Sequence, residues 1–230
     1  MMDEKMKRPS APPSPYRLIV FDWDGTLMDS ISTIVACAVR AACDIGAEDE
    51  GTAARIRAAI GLALDQTAFR VLPRGTDAQR AAWIERYRHH WLESFRDRPL
   101  LFPGVAELLD RLEGEGYWLA VATGKSRAGL DRDLEATGQQ RRFLATRTVS
   151  EAPSKPQPEM LLGILDELGV GRREALMVGD TTFDLDMANN AGIGGVGVLT
   201  GSHDREVLLA SRPLVCLDAA TGLPDWLAGR

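Results

Sequence analysis

The chain has 230 residues, 45% of them apolar, enough for one large domain or a core with a smaller insert. A net charge of −6 and a pI near 5.2 leave no basic footprint for nucleic acid. No apolar run approaches the roughly 20 residues of a membrane span, and three scattered cysteines (Cys37, Cys43, Cys216) suit neither a disulfide framework nor a zinc site.

Met1 to Pro15 is polar and rich in Pro and Ser, with no apolar stretch, and reads as a flexible tail rather than a signal peptide. The expected compartment is therefore the cytoplasm. Leu18-Ile19-Val20-Phe21 then reads as a buried strand that stops at Asp22-Trp23-Asp24-Gly25-Thr26. On a strand, positions i and i+2 share a side, so Asp22 and Asp24 are expected to face one small volume. Two close carboxylates repel. A hard cation such as Mg2+ relieves that cost. The alternative is a surface turn, because Asp-Gly pairs are common turn formers.

From about Asp29 to Arg98 the pattern turns helical. Ile31, Ile34, Val35 and Ala38 recur at helical spacing, as do Ile56, Ile60, Leu64 and Phe69, and then Trp83, Tyr87 and Trp91. This predicts an all-helical insert, broken at Pro73-Arg74-Gly75 and closed by Pro99 and Pro103-Gly104. His89-His90 lie next to each other and so point in different directions on a helix, which favours solvation or packing over a metal site. His203, on a Gly-rich loop, carries no functional signal.

Beyond Pro103 helices and strands alternate. Helices are expected over 105–115, from Ser126 to Gly138, over 158–168 and over 183–191, with short ones from Asp204 and around Trp226. Strands are expected over 117–122, 144–149, 175–178 and 193–199 and near Leu214. Strands separated by such helices predict a parallel, doubly wound α/β sheet.

Three of these strands end in polar sets, and a loop carries a fourth. Asp22 and Asp24 are the first. Thr123-Gly124-Lys125 precedes a helix N-terminus, which suits a phosphate oxygen; taken alone, a plain turn with a helix cap explains it better. Ser154-Lys155-Pro156 carries a lysine on a proline-stiffened loop. Gly179-Asp180-Thr181-Thr182-Phe183-Asp184 spaces two carboxylates i, i+4. The chain has 23 arginines but four lysines, and the two outside the tail, Lys125 and Lys155, both fall beside proposed phosphate sites. An ammonium is a common phosphate binder.

The order and spacing of these four sets resemble the haloacid dehalogenase-like hydrolases, and within them the phosphoglycolate-phosphatase-like enzymes. The resemblance implies a Rossmann-like core over 16–28 and 99–230 after a disordered tail (1–15), with residues 29–98 as a helical cap. It further implies a Mg2+-dependent phosphatase acting on a small phosphorylated metabolite. Asp22 would be the nucleophile, and Asp24 the acid and base. The metal would sit on the Asp22 carboxylate, the Asp24 backbone carbonyl and Asp180, with Asp184 orienting the ligands. Thr123, the Gly124 amide and Lys155 would hold the phosphoryl oxygens. Arg57, Gly61 and Leu62 would be cap residues over the substrate; an ordinary helix ending at Gly61 explains them as well. Trp23 stands where the family commonly has Leu and is expected to point away from the site without chemical consequence.

Asp24 argues against a dehalogenase, which lacks that aspartate. Residues 29–98 contain no lysine, which closes the Schiff-base route of phosphonate-cleaving relatives. Sugar phosphomutases of the superfamily commonly carry a His where Ile34 stands, which argues against that activity; it is kept as the alternative. A receiver-like signalling domain would be about half as long. A non-catalytic binder of a phosphorylated partner would not need both Asp22 and Asp24. No membrane or nucleic-acid partner is expected, and the oligomeric state is monomer or dimer.

Overall fold

A computed structural model describes residues 12–95 and 101–230. Most of the expected tail and the closing Pro99 lie outside them. Six parallel strands form one sheet in the order β3-β2-β1-β4-β5-β6. They are β1 (Leu18–Phe21), β2 (Trp118–Thr123), β3 (Ala145–Thr148), β4 (Ala175–Gly179), β5 (Gly194–Val198) and β6 (Val215–Leu217). β1 is central, paired with β2 and β4 over its whole length. The strand order reverses between β1 and β4, and open α/β sheets bind ligands in the crevice at that point.

The period-2 alternation of β1 divides its side chains between two cores. Ile19 and Phe21 join one face, packed by α5 (Val105–Gly114), α6 (Arg127–Thr137) and α10 (Leu223–Leu227). Leu18 and Val20 join the other, packed by α7 (Glu159–Leu168) and α8 (Thr182–Ala191). The remaining short helix, α9 (Arg205–Ala210), precedes β6. Every residue of β1 is buried, as a central parallel strand requires. The expected stops hold in the helices: Ser126 caps α6 by accepting from the Gly129 amide at 3.2 Å, and Gly138, Gly169 and Gly192 end α6, α7 and α8 in left-handed conformation.

Between β1 and α5 lie four helices, α1 (Ile31–Asp44), α2 (Thr52–Arg57), α3 (Leu64–Val71) and α4 (Asp77–Phe95). They build a third core from Ala38, Ala41, Ala42, Ile56, Ala68, Val71, Leu72 and Trp83. The stripe read through Ile56, Ile60, Leu64 and Phe69 is divided between α2, the turn after it and α3, and Phe69 is solvent-exposed, with the Arg80 guanidinium over its ring at 4.2 Å. Trp83, Tyr87 and Trp91 stack successively along α4. His90 is buried against Asp44, Nε2 to Oδ2 2.7 Å, and His89 faces solvent near Glu93, which is a packing role. Among the described residues no helix is long and apolar enough to cross a membrane.

Candidate active site

Asp22 follows β1 directly, and its amide donates to the Val178 carbonyl of β4 at 2.9 Å. Asp180 follows β4, and Asp184 lies in the first turn of α8. These three fully buried carboxylates each bring an oxygen within 4.8 Å of the others. Thr181 caps α8 and donates from its hydroxyl to Asp184 Oδ2 at 2.7 Å. Asp180 accepts from the Thr26 hydroxyl and the Ser202 amide, each at 2.9 Å. Gly25 has φ +81°, and a Cβ there would stand 2.6 Å from Asp180 Oδ2. Only glycine satisfies both constraints.

Lys155 enters this cluster from the loop after β3. Its Nζ lies 2.6 Å from Asp22 Oδ1 and 2.6 Å from Asp184 Oδ1, with the side chain fully buried. With all three carboxylates ionised, one ammonium among the described residues leaves two negative charges to be compensated in a buried site. Burial pushes the Asp22 carboxyl well above the usual carboxylate range; Lys155 pulls it back, while Asp184 and Asp180 push it further up. Burial, and then Asp184, raise Asp180 to about 7. Burial alone would lower Lys155, but Asp184 and Asp22 more than offset it and hold the ammonium charged. Asp22 Oδ2 has no hydrogen-bond partner among the described residues. An all-oxygen set with this charge deficit and a bare carboxylate oxygen fits a hard divalent cation. Both oxygens of Asp184 are already engaged, by Lys155 and Thr181, which suits it to orienting its neighbours.

Asp24 lies in a different electrostatic neighbourhood. Its Oδ2 and Oδ1 are 3.0 and 3.2 Å from Lys125 Nζ, and Oδ1 also accepts from the Ser30 hydroxyl at 2.7 Å. Lys125 also pairs with Asp133 Oδ2 at 2.9 Å. Burial disfavours the Lys125 charge, but Asp24 and Asp133 outweigh it and raise its pKa. Burial raises the Asp133 carboxyl.

Asp22 and Asp24 line one cavity of about 910 Å³ between the sheet's C-terminal edge and the helical insert. Thr123, Gly124, Lys125 and Ser154 line it from the core, and Ile34, Ile60, Gly61, Leu62, Tyr87, Arg88 and Trp91 from the insert. Lys155, expected to meet phosphate, is spent on Asp22 and Asp184 and does not line the cavity. Arg57 requires a correction: it is exposed at the end of α2 and does not line the cavity, because its side of the helix faces solvent while Ile56 and Ile60 turn inward to the cavity wall. Arg88 and Arg132 line it instead. The insert is seated on the core: Ala63 N–H donates to Ser154 Oγ at 2.9 Å, and a Cβ on Gly124 would come within 2.5 Å of the Gly61 carbonyl.

Asp133 and Ser30 fall outside the sequence motifs, and Ser154 enters them only as a flank of Lys155. A signal existed for Asp133, which lies between Leu130 and Leu134 on the buried face of α6. Trp23, expected to point away from the site, is fully buried and does not line the cavity, and its indole N–H reaches Asp133 Oδ2 at 3.0 Å and Met28 Sδ at 3.2 Å.

The profile described as "Haloacid dehalogenase-like hydrolase" matches residues 19–198. The chain belongs to this family. Among curated relatives, "Probable phosphatase IndB" of Dickeya dadantii is 40% identical over 205 residues, covering 87% of this chain and 89% of that protein. "Phosphoglycolate phosphatase" of Mesorhizobium japonicum is 33% identical over 194 residues, covering 83% and 86%. Among solved structures, a hydrolase from Pseudomonas syringae superposes with a TM-score of 0.83 at 25% identity, covering 93% of this chain and 98% of that one. This member of the haloacid dehalogenase-like hydrolases is a phosphatase, with the parallel α/β fold of the family.

Removing the Lys155 charge tests the electrostatic account. Lys155→Met strands buried carboxylates whose folded-state pKa values, already raised at Asp22 and Asp180, rise further above their unfolded ones. The penalty is absent at low pH and grows as pH rises through the unfolded values. Urea denaturation is expected to show a loss of about 3–5 kcal/mol at pH 8, and a smaller loss at pH 5.

Proposed function

We propose that the protein is a Mg2+-dependent phosphatase that hydrolyses a small phosphorylated metabolite through an aspartyl-phosphate on Asp22. The observation that carries this reading is the buried triad of Asp22, Asp180 and Asp184, with Lys155 as its counter-charge among the described residues, beside the cavity that Asp24 also lines. Asp22, the Asp24 backbone carbonyl and Asp180 would hold Mg2+, with Asp184 orienting them. When bound, the ion neutralises charge on the phosphoryl oxygens.

Asp22 attacks phosphorus while Lys155 orients its carboxylate and lowers the cost of ionising it. Thr123 and the Gly124 amide bind phosphoryl oxygens at the cavity floor. Asp24 gives a proton to the leaving oxygen, then takes one from the water that cleaves the phosphoenzyme. Residues 29–98 act as the cap: seated on the core through Ala63 and Gly61, they exclude bulk water during transfer. Three free cysteines suit a cytoplasmic site of action. Ile34, in the cavity wall, supplies no imidazole for a phosphomutase.

Phosphoglycolate is the first substrate to test, since a relative carries that name, and Arg88 and Arg132 offer cations for its carboxylate. Steady turnover of p-nitrophenyl phosphate is expected, abolished by EDTA and by Asp22→Asn. Full activity of Asp22→Asn would refute the aspartyl-phosphate. In a panel of phosphorylated metabolites ranked by kcat/KM, phosphoglycolate is expected near the top; flat, weak activity would remove that substrate and leave the chemistry standing. Mg2+ is expected to stabilise the protein against heat, by about 2.7 kcal/mol at a hundred times its Kd. The effect should be larger at pH 8 than at pH 6, because below about 7 the ion must displace a proton from Asp180. Equal stabilisation at both pH values would argue against Asp180 as a ligand.

A further inference from the structure

Asp24 sits in a loop, on a short side chain that without external contacts would sample several rotamers. Proton transfer tolerates little misplacement, so something must hold it. The Lys125 ammonium touches both its carboxylate oxygens, at 3.0 and 3.2 Å. Lys125 is in turn a long side chain with many rotamers, and it is fixed by two further contacts. Its Nζ lies 2.9 Å from Asp133 Oδ2 and 4.6 Å from the ring centre of Trp91. Asp133 is wholly buried, and its Oδ2 also accepts from the Trp23 indole N–H at 3.0 Å, while its Oδ1 has no hydrogen-bond partner among the described residues. A carboxylate placed in an apolar helix interface is costly unless something needs it there.

We propose that Trp23, Asp133 and Lys125 form a buried brace whose function is to position the Asp24 carboxyl for proton transfer. This inference rests on the acid–base role proposed for Asp24 above. Asp24 gives its proton to the leaving oxygen as the phosphorus–oxygen bond breaks and the electron pair stays on that oxygen. It recovers a proton from water as the water oxygen bonds to phosphorus and the bond to Asp22 breaks. Lys125 keeps its three protons throughout. It acts as a positioning residue, and Trp23 acts two contacts further back. The indole supplies a donor that Leu or Phe would lack, so residue 23 bears on catalysis without entering the cavity.

The test compares phosphoenzyme formation in single turnovers of two substrates. p-Nitrophenolate leaves without a proton, whereas an alkoxide from a simple alkyl phosphate needs one. Asp24→Asn is the reference and is expected to slow the alkyl substrate by about 10²–10⁴-fold, and p-nitrophenyl phosphate far less. Lys125→Met is expected to slow the alkyl substrate by about 100-fold and p-nitrophenyl phosphate by less than about 5-fold, on the same general-acid scale. Trp23→Phe keeps an aromatic ring and removes the donor; it is expected to show the same bias at about 10-fold. It also serves if Lys125→Met fails to fold, as judged by thermal melting. Equal losses on both substrates in the two brace variants, with Asp24→Asn still selective, would overturn the brace alone. If Asp24→Asn were itself unselective, the acid role would fall and the brace with it.

Discussion

One ammonium among three buried carboxylates is the constraint on which the rest of this structure depends. Taking Asp22, Asp180 and Asp184 out of water together is expensive, and Lys155 offsets only part of the cost. The fold has to bring the four together. β1 and β4 are neighbours at the point where the sheet order reverses, so the residues that follow them meet. The first turn of α8 adds Asp184, and the loop after β3 adds Lys155. The nearby donors support two of these carboxylates: Thr26 and the Ser202 amide donate to the two oxygens of Asp180, and Thr181 donates to Asp184. Two negative charges remain uncompensated, and it is this residue of unbalanced charge, more than any single contact, that makes the site suitable for a divalent cation and a phosphoryl group.

The two aspartates of the first motif divide along the same electrostatic line. Asp22 faces Lys155 and the other carboxylates. Asp24, two residues on, faces Lys125 and Ser30. Each has its own lysine, in a chain whose basic residues are otherwise almost all arginine. A compact ammonium can approach two carboxylates from one side without the planar fork of a guanidinium, and both lysines bridge a pair: Asp22 with Asp184, and Asp24 with Asp133. Separate neighbourhoods let two similar groups take the unequal roles proposed for them.

The helical insert closes on the core partly through backbone. Gly124 leaves no room for a side chain beneath the Gly61 and Leu62 carbonyls, and Ala63 uses its amide on Ser154. Contacts of this kind carry little sequence information. The cavity wall above is largely apolar, with the stacked rings of α4 ending over Lys125. The insert thus both roofs the cavity and supports, through Trp91, the lysine that holds Asp24.

The parallel α/β architecture was readable before any coordinates, because hydrophobic period and turn chemistry are local: the run Leu18–Phe21, the Ser126 cap and the glycines at 138, 169 and 192 each mark their own element. So were the four motif sets, since their residue types sit at strand ends and in one order. Sequence could not decide where long side chains go. Lys155 might have reached a phosphate or a carboxylate, and folding put it between Asp22 and Asp184. Arg57 sits beside a cap turn in sequence but faces solvent in space, while Arg88 and Arg132, from two distant helices, line the cavity. Trp23 read as mere filling between two aspartates, and only the docking of α6 brought Asp133 within reach of its indole. A chain specifies its elements through neighbours a few residues away, whereas pairings across 110 residues exist only once those elements have packed.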